Sequence, residues 1–417
     1  MAVYKLTNQI LKYAWGSKTL MPELLGYDNS ENEPMAELWM GAHPKASSDV
    51  HMQNGDIPLD EMISKSPETV LGGRISNGFS GRLPFLFKVL AAGSPLSIQA
   101  HPTLDEAAAG WARENEAGIA LDAFNRNYKD DNHKPEIICA LSEYHAMRGF
   151  RQAGVIAANF RKIMIPELDA AVSALEAASA SPAGDESSVS AAVSAALKNF
   201  FTVIMQLSDI DRTALVGKAL EKAENEELPD SRWIKRFAEL YPGDIGIVSP
   251  LYLNIVTLQP GEAMYLPAGE LHAYLEGIGM ELMANSDNVL RGGLTPKHVD
   301  VPELLSTLNF NPTKPEILNP VKLNNAESAY ITPAPEFYLS KIDLSGGYEL
   351  PVESYGPEPP SIFICTEGSA IIEDSTSDSS VEIMQGETAF ASFGSRMKLQ
   401  GRAVIYRASV PAAGVVK

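Results

Sequence analysis

The chain has 417 residues, an ordinary globular composition and a formal charge of -20 at pH 7. Its length supports about two to four domains, each with its own core, and its charge speaks against nucleic acid or an anionic membrane as principal partner, since both reward an excess of Lys and Arg. Two distant cysteines, Cys139 and Cys365, exclude a disulfide framework and a thiolate metal site, and Met1 to Trp15 lacks the basic-then-apolar pattern of a leader, so a cytoplasmic protein without a membrane span is expected.

From Met1 to about Arg151, short apolar runs alternate with Gly, Pro, Asn and Asp, as at Gly41-Ala42-His43-Pro44 and Asn54-Gly55-Asp56, which predicts a β-rich region with few helices. Lys88 lies in Phe85-Leu86-Phe87-Lys88-Val89-Leu90, apolar on both sides; it either snorkels to a strand edge or meets an anion. Further on, Leu96, Ile98 and Ala100 alternate with Ser97, Gln99 and His101, which as a strand sends apolar groups to one face and polar groups to the other. The polar face then carries an amide oxygen beside an imidazole, two donors suited to one metal ion. Thr103-Leu104-Asp105-Glu106 is a capping box ahead of an Ala-rich helix. Glu136, on one face with Lys134, opens the apolar run Ile137-Ile138-Cys139-Ala140-Leu141, suited to a buried strand.

Residues 152–244 read as a helical insertion. Val189, Val193 and Leu197 recur at helical spacing before Phe200, Phe201, Ile204 and Leu207, Ser181-Pro182-Ala183-Gly184-Asp185 breaks the pattern, Ser208 caps a further helix, and Pro242-Gly243 ends the last. A solvated scaffold without chemistry is the expectation here.

Strand texture returns at Leu251. Gly261, Pro267, Gly269 and His272 follow as Gly, five residues, Pro-x-Gly, two residues, His, a spacing that turns and bends a strand and aims His272 inward. It resembles the second metal motif of the cupin β-barrels. Gly386-Glu387-Thr388-Ala389-Phe390 repeats Gly261-Glu262-Ala263-Met264-Tyr265, with Ser392, Gly394 and Met397 where Pro267, Gly269 and His272 stood. A second small barrel that binds no metal is therefore expected from about Glu316.

The chemistry-bearing residues form a set. Gln99, His101, Glu136 and His272 offer a mixed nitrogen and oxygen shell compatible with zinc, and also with manganese, cobalt or iron. Arg291 precedes Gly292-Gly293, where the backbone bends and brings a guanidinium close to a ligand. Thr295-Pro296-Lys297 reads as N-cap, first helical residue and a lysine set against the helix dipole. Glu281 is a lone carboxylate between Met280 and Leu282, Asp287 lies in the turn before Arg291, and a Glu281–Arg291 salt bridge is the structural alternative. Tyr274 shares a strand face with His272, and Trp15 is a candidate wall for a sugar pocket.

In combination, Ala36-Glu37-Leu38-Trp39-Met40-Gly41-Ala42-His43-Pro44, Ile98-Gln99-Ala100-His101-Pro102, His133-Lys134-Pro135-Glu136, the Pro267 to His272 motif and Ser286-Asp287-Asn288-Val289-Leu290-Arg291-Gly292-Gly293-Leu294-Thr295-Pro296-Lys297 resemble the type I mannose-6-phosphate isomerases. The resemblance implies a mainly β protein: a discontinuous cupin-type jelly-roll catalytic domain (1–151 and 245–315), an α-helical domain (152–244) and a metal-free cupin-like barrel (316–417). It implies one zinc ion per chain on Gln99, His101, Glu136 and His272, and an aldose-ketose isomerase joining mannose 6-phosphate to fructose 6-phosphate through an enediolate, in mannose metabolism and GDP-mannose supply. Arg291 would stabilise the enediolate, His133 or Lys134 would assist ring opening, and Glu281 and Asp287 compete as base. Lys88, Ser97 and Lys297 would hold the phosphate or sugar hydroxyls, with Tyr274 and Trp15 also at the substrate. A monomer acting on a small sugar phosphate is expected. A redox-iron cupin oxygenase and a non-catalytic sugar-phosphate sensor are the rival readings.

Overall fold

The strand His272–Ala284 is the element around which the first sheet is built. Over its 13 residues it pairs, always antiparallel, with Ile98–Ala100, Tyr144–Phe150, Glu136–Ala140 and Phe85–Ala92. One strand can serve four neighbours only by bending. The register shifts between Tyr274 and Glu276, and Gly277 follows at φ +125°, where a Cβ would lie 2.7 Å from the Glu143 carbonyl. The computed structural model describes residues 2–180, 186–346, 358–377 and 379–411, without the side chains of 186–189; the expected break at Ser181-Pro182-Ala183-Gly184-Asp185 lies outside them.

The helical insertion comprises Ala153–Arg161, Asp169–Ala180, Glu186–Met205, Asp209–Glu224 and Ser231–Leu240. Ser208 caps the fourth by accepting from Asp211 N. Phe160, Phe200, Phe201 and Phe237 are buried with Phe150 and Tyr252 of the barrel in one apolar cluster, so the insertion is packed onto the barrel wall. The capping box forms as predicted, with Thr103 and Glu106 satisfying each other's backbone N–H at the start of Leu104–Glu116. No single helix among the described residues is long and apolar enough to cross a membrane.

The sequence echo is also a backbone echo. Ala263–Leu266 and His272–Ala284 correspond to Thr388–Ala391 and Met397–Ser409, with Gly261 and Gly386 at φ +89° and +83°, and Gly269 and Gly394 at +76° and +78°. Met397, in one buried apolar cluster with Phe363, Cys365, Ile372 and Leu399, stands where His272 stands in the first unit. The second sheet also takes strands from the start of the chain: Val3–Thr7 pairs with Thr388–Ala391 and passes the ladder to Asp49–Val50. The helix expected at Pro296 is absent. Asp300, accepting from Glu303 N, caps a helix that begins at Val301, and Lys297 lies in the bend before it, its backbone N–H on Thr295 Oγ1.

Candidate metal centre

Three segments converge where their strands meet. Gln99 is opposite His272 on one side and Arg291 on the other, and directly opposed residues of an antiparallel pair share a sheet face. Glu136, the first residue of its strand, pairs with Met283 and Leu266. The result is a buried cluster in which His101 Nε2 lies 3.4 Å from Glu136 Oε1, His272 Nε2 lies 3.5 Å from Glu136 Oε2, and the imidazole centroids are 5.0 Å apart.

The imidazoles are oriented for coordination. His101 Nδ1 is 2.7 Å from the Asn288 carbonyl and His272 Nδ1 is 2.9 Å from the Glu270 carbonyl. A carbonyl only accepts, so each Nδ1 carries the hydrogen and each Nε2 presents its lone pair. Both Nε2 atoms are buried and make no hydrogen bond. Burial lowers His101 to a pKa of about 4, helped by Lys134. Burial works to raise Glu136, but Lys134, 3.1 Å away, and His101 hold its carboxyl well below the ordinary range. Two imidazoles, an anionic carboxylate and a neighbouring amide are a ligand set that fits zinc. Among the described residues this is the one group of three or more His, Cys, Asp or Glu able to hold a metal ion.

Beside it runs a charged row. Lys88 Nζ is 2.8 Å from Glu281 Oε2 and 3.7 Å from Glu37 Oε1, and lies 5.3 Å from the centre of the Trp39 ring, whose Nε1 donates to Glu37. Burial disfavours the ammonium, but Glu281 and Glu37 raise its pKa; burial likewise raises Glu281, with Glu136 and Glu37 adding to it against the pull of Lys88. Lys88 is thus held between two carboxylates of the protein itself. Glu281 pairs with Lys88, not Arg291.

Arg291 is half-buried and Lys297 exposed, and neither has a carboxylate partner among the described residues. Burial lowers the pKa of each, and Arg291 adds to the lowering at Lys297. Tyr274 donates to Glu136 Oε2 at 3.4 Å, and Trp15 stacks on Tyr13. Ser97 is half-buried next to the ligand strand. His133 Nε2 is 2.6 Å from Glu336 Oε1, and Lys134 Nζ is 3.1 Å from Glu136 Oε1.

Sequence reasoning missed His43 and Lys45, which meet Asp287 at 3.7 and 2.5 Å. Burial would raise Asp287, and Lys45 overrides it to keep the carboxyl below its ordinary range. The signal was present in Gly41-Ala42-His43-Pro44, read as turn texture and as part of the family resemblance but given no role at the site. A cavity of about 480 Å3 lined by His43, Lys45, Arg82, Lys129 and Asp287 adjoins this corner but includes none of the four ligand candidates.

A bent antiparallel barrel with an imidazole and carboxylate centre, and with Arg291 and Lys297 lacking carboxylate partners among the described residues, defines a cupin-type metal site suited to an anionic substrate. A family model for the catalytic domain of type I phosphomannose isomerase matches residues 3–153. The mannose-6-phosphate isomerase of Salmonella typhimurium is 42% identical over 389 residues, covering 93% of this chain and 94% of its own. A crystal structure of a mutant phosphomannose isomerase from Salmonella typhimurium superposes with a TM-score of 0.87 at 37% identity, over 99% of this chain and 100% of that one; a zinc-bound mannose 6-phosphate isomerase gives 0.86 at 37%, with the same coverage. The chain belongs to the type I mannose-6-phosphate isomerases.

Proposed function

We propose that the chain interconverts mannose 6-phosphate and fructose 6-phosphate with one zinc ion held by Gln99, His101, Glu136 and His272. The observation that carries this reading is the pair of buried Nε2 lone pairs turned on one carboxylate. The zinc in the related structure supports the choice of metal. When bound, zinc supplies Lewis acidity toward the sugar oxygens.

The chain's own residues supply the rest. Moving a carbonyl from C1 to C2 requires a proton taken from C2 and one returned to C1, with negative charge building on the oxygens between. Arg291, opposite Gln99 and without a carboxylate partner among the described residues, meets that charge. Glu281, buried and oriented by Lys88, moves the proton; Asp287, anionic against Lys45, is the less apt base. His133 or Lys134 assists ring opening, Lys88, Ser97 and Lys297 hold the phosphate or sugar hydroxyls, and Tyr274 and Trp15 line the sugar. The catalytic unit is 1–151 with 245–315, the helical unit 152–244 and the metal-free barrel 316–417, with the chain's first strand lent to that barrel's sheet. Two buried free cysteines accord with a cytoplasmic protein, which we take to act as a monomer supplying mannose metabolism and GDP-mannose.

The test is turnover of mannose 6-phosphate to fructose 6-phosphate, lost on chelation and restored by zinc. Full activity in protein shown free of metal would overturn the zinc assignment, and no turnover in the zinc-loaded protein would overturn the isomerase assignment.

A further inference from the structure

Asn288 is 1% exposed and uncharged, yet every position of its amide is used. Oδ1 accepts the backbone N–H of Lys129 at 2.6 Å and of Asp130 at 3.2 Å; Nδ2 donates to the carbonyls of Asp130 and Asn132, both at 2.9 Å, with Asp130 Oδ1 at 3.2 Å beside them. Donors at one end and carbonyls at the other fix which way the amide points. Its own backbone N–H goes to Ser286 Oγ at 3.2 Å, and that hydroxyl donates to Asp130 Oδ1 at 2.8 Å. With side chain and N–H both held, the Asn288 carbonyl is aimed at His101 Nδ1, 2.7 Å away.

We infer that Asn288 is a positioning residue: it ties residues 129–132 to the Ser286–Asn288 turn so that its carbonyl takes the Nδ1 hydrogen of His101 and leaves Nε2 turned toward Glu136. This rests on the reading of His101 as a metal ligand. The two histidines differ here. His272 finds its carbonyl at Glu270, two residues back on the same chain segment, whereas His101 depends on a carbonyl from a remote turn. Removing the group that orients a ligating histidine lowers metal affinity by about tenfold to a hundredfold.

The experiment measures zinc affinity by competition with a chromophoric chelator, and visible spectra after cobalt substitution, for the full chain and for Asn288→Ala, Asn285→Ala and His101→Ala. Asn285 is the control: its amide donates to the Leu83 carbonyl at 2.6 Å and serves the fold without touching His101. Asn288→Ala is expected to weaken zinc about tenfold or more and to change the cobalt bands, while Asn285→Ala lowers Tm and leaves affinity unchanged. Asn288→Ala with lowered Tm but wild-type affinity and spectrum would overturn the inference. Should Asn288→Ala not fold, Asn288→Ser carries the same expectation and the same refutation. His101→Ala binding zinc like wild type would instead strike down the ligand assignment beneath it.

Discussion

Lys88 and Glu281 stand directly opposite each other on the neighbouring strands Phe85–Ala92 and His272–Ala284, with Nζ and Oε2 2.8 Å apart and both side chains buried. Glu37 lies on the far side of the same ammonium, so one cation serves two carboxylates. Removing it leaves both buried and unmatched. Lys88→Met is therefore expected to lower unfolding free energy at neutral pH by about 3 to 5 kcal/mol, measured by urea denaturation. The deficit should narrow as pH falls, because Glu281 already has a raised pKa and takes up a proton readily. A loss that does not change with pH would contradict the pairing.

Metal-free protein should respond to acid through His101. Its folded pKa, lowered by burial to about 4, lies below the unfolded value of about 6.5, so the unfolded chain binds more protons between these limits. Stability is then full above about pH 6.5 and falls by roughly 3 kcal/mol as pH drops to about 4. In chelator-treated protein, His101→Asn should flatten the dependence of Tm on pH across that window. An unchanged slope in the variant would show that His101 is not the group responsible.

What the sequence made legible was local. Alternation at Leu96 to His101 and the capping box at Thr103 each depend on residues a few positions apart, and the strand and helix formed there. The echo of Gly261 in Gly386 was readable because left-handed backbone calls for glycine at both turns. What stayed open depended on distant partners. Strand register is what brings Glu281 opposite Lys88, and His133 has as its partner Glu336, from a much later part of the chain. At Thr295-Pro296 the local signal for a helix start was real, but Asp300, with Glu303 three residues on, supplied a better one.

The second barrel tests whether a histidine makes a metal site. Met397 occupies the position of His272, but it belongs to one apolar cluster with Phe363, Cys365, Ile372 and Leu399, and the carboxylate opposite it, Asp374, already accepts from Thr376, Ser377 and the Arg396 backbone N–H. Met397→His should bind no second zinc by elemental analysis, and should lower stability by about 1 to 3 kcal/mol for an imidazole taken into an apolar cluster. Two zinc ions per chain in the variant would mean that the barrel retains other ligands.

Arg291 and Lys297 separate chemistry from binding. Both are cations without a carboxylate partner among the described residues, but Arg291 is opposite Gln99 on the ligand face, whereas Lys297 sits beyond Gly292 and Gly293 in an exposed bend. Charge that develops only during the reaction is felt by the nearer group, so Arg291→Ala should lower kcat by about 100- to 1,000-fold while KM stays within about fivefold. The phosphate carries the same charge before and during the reaction. Lys297→Ala should therefore raise KM and leave kcat nearly unchanged. Steady-state kinetics on both variants at matched zinc content makes the comparison, since a lost ion would imitate the first result. If metal-replete Arg291→Ala raises KM alone, the guanidinium binds phosphate and the enediolate is stabilised by another group.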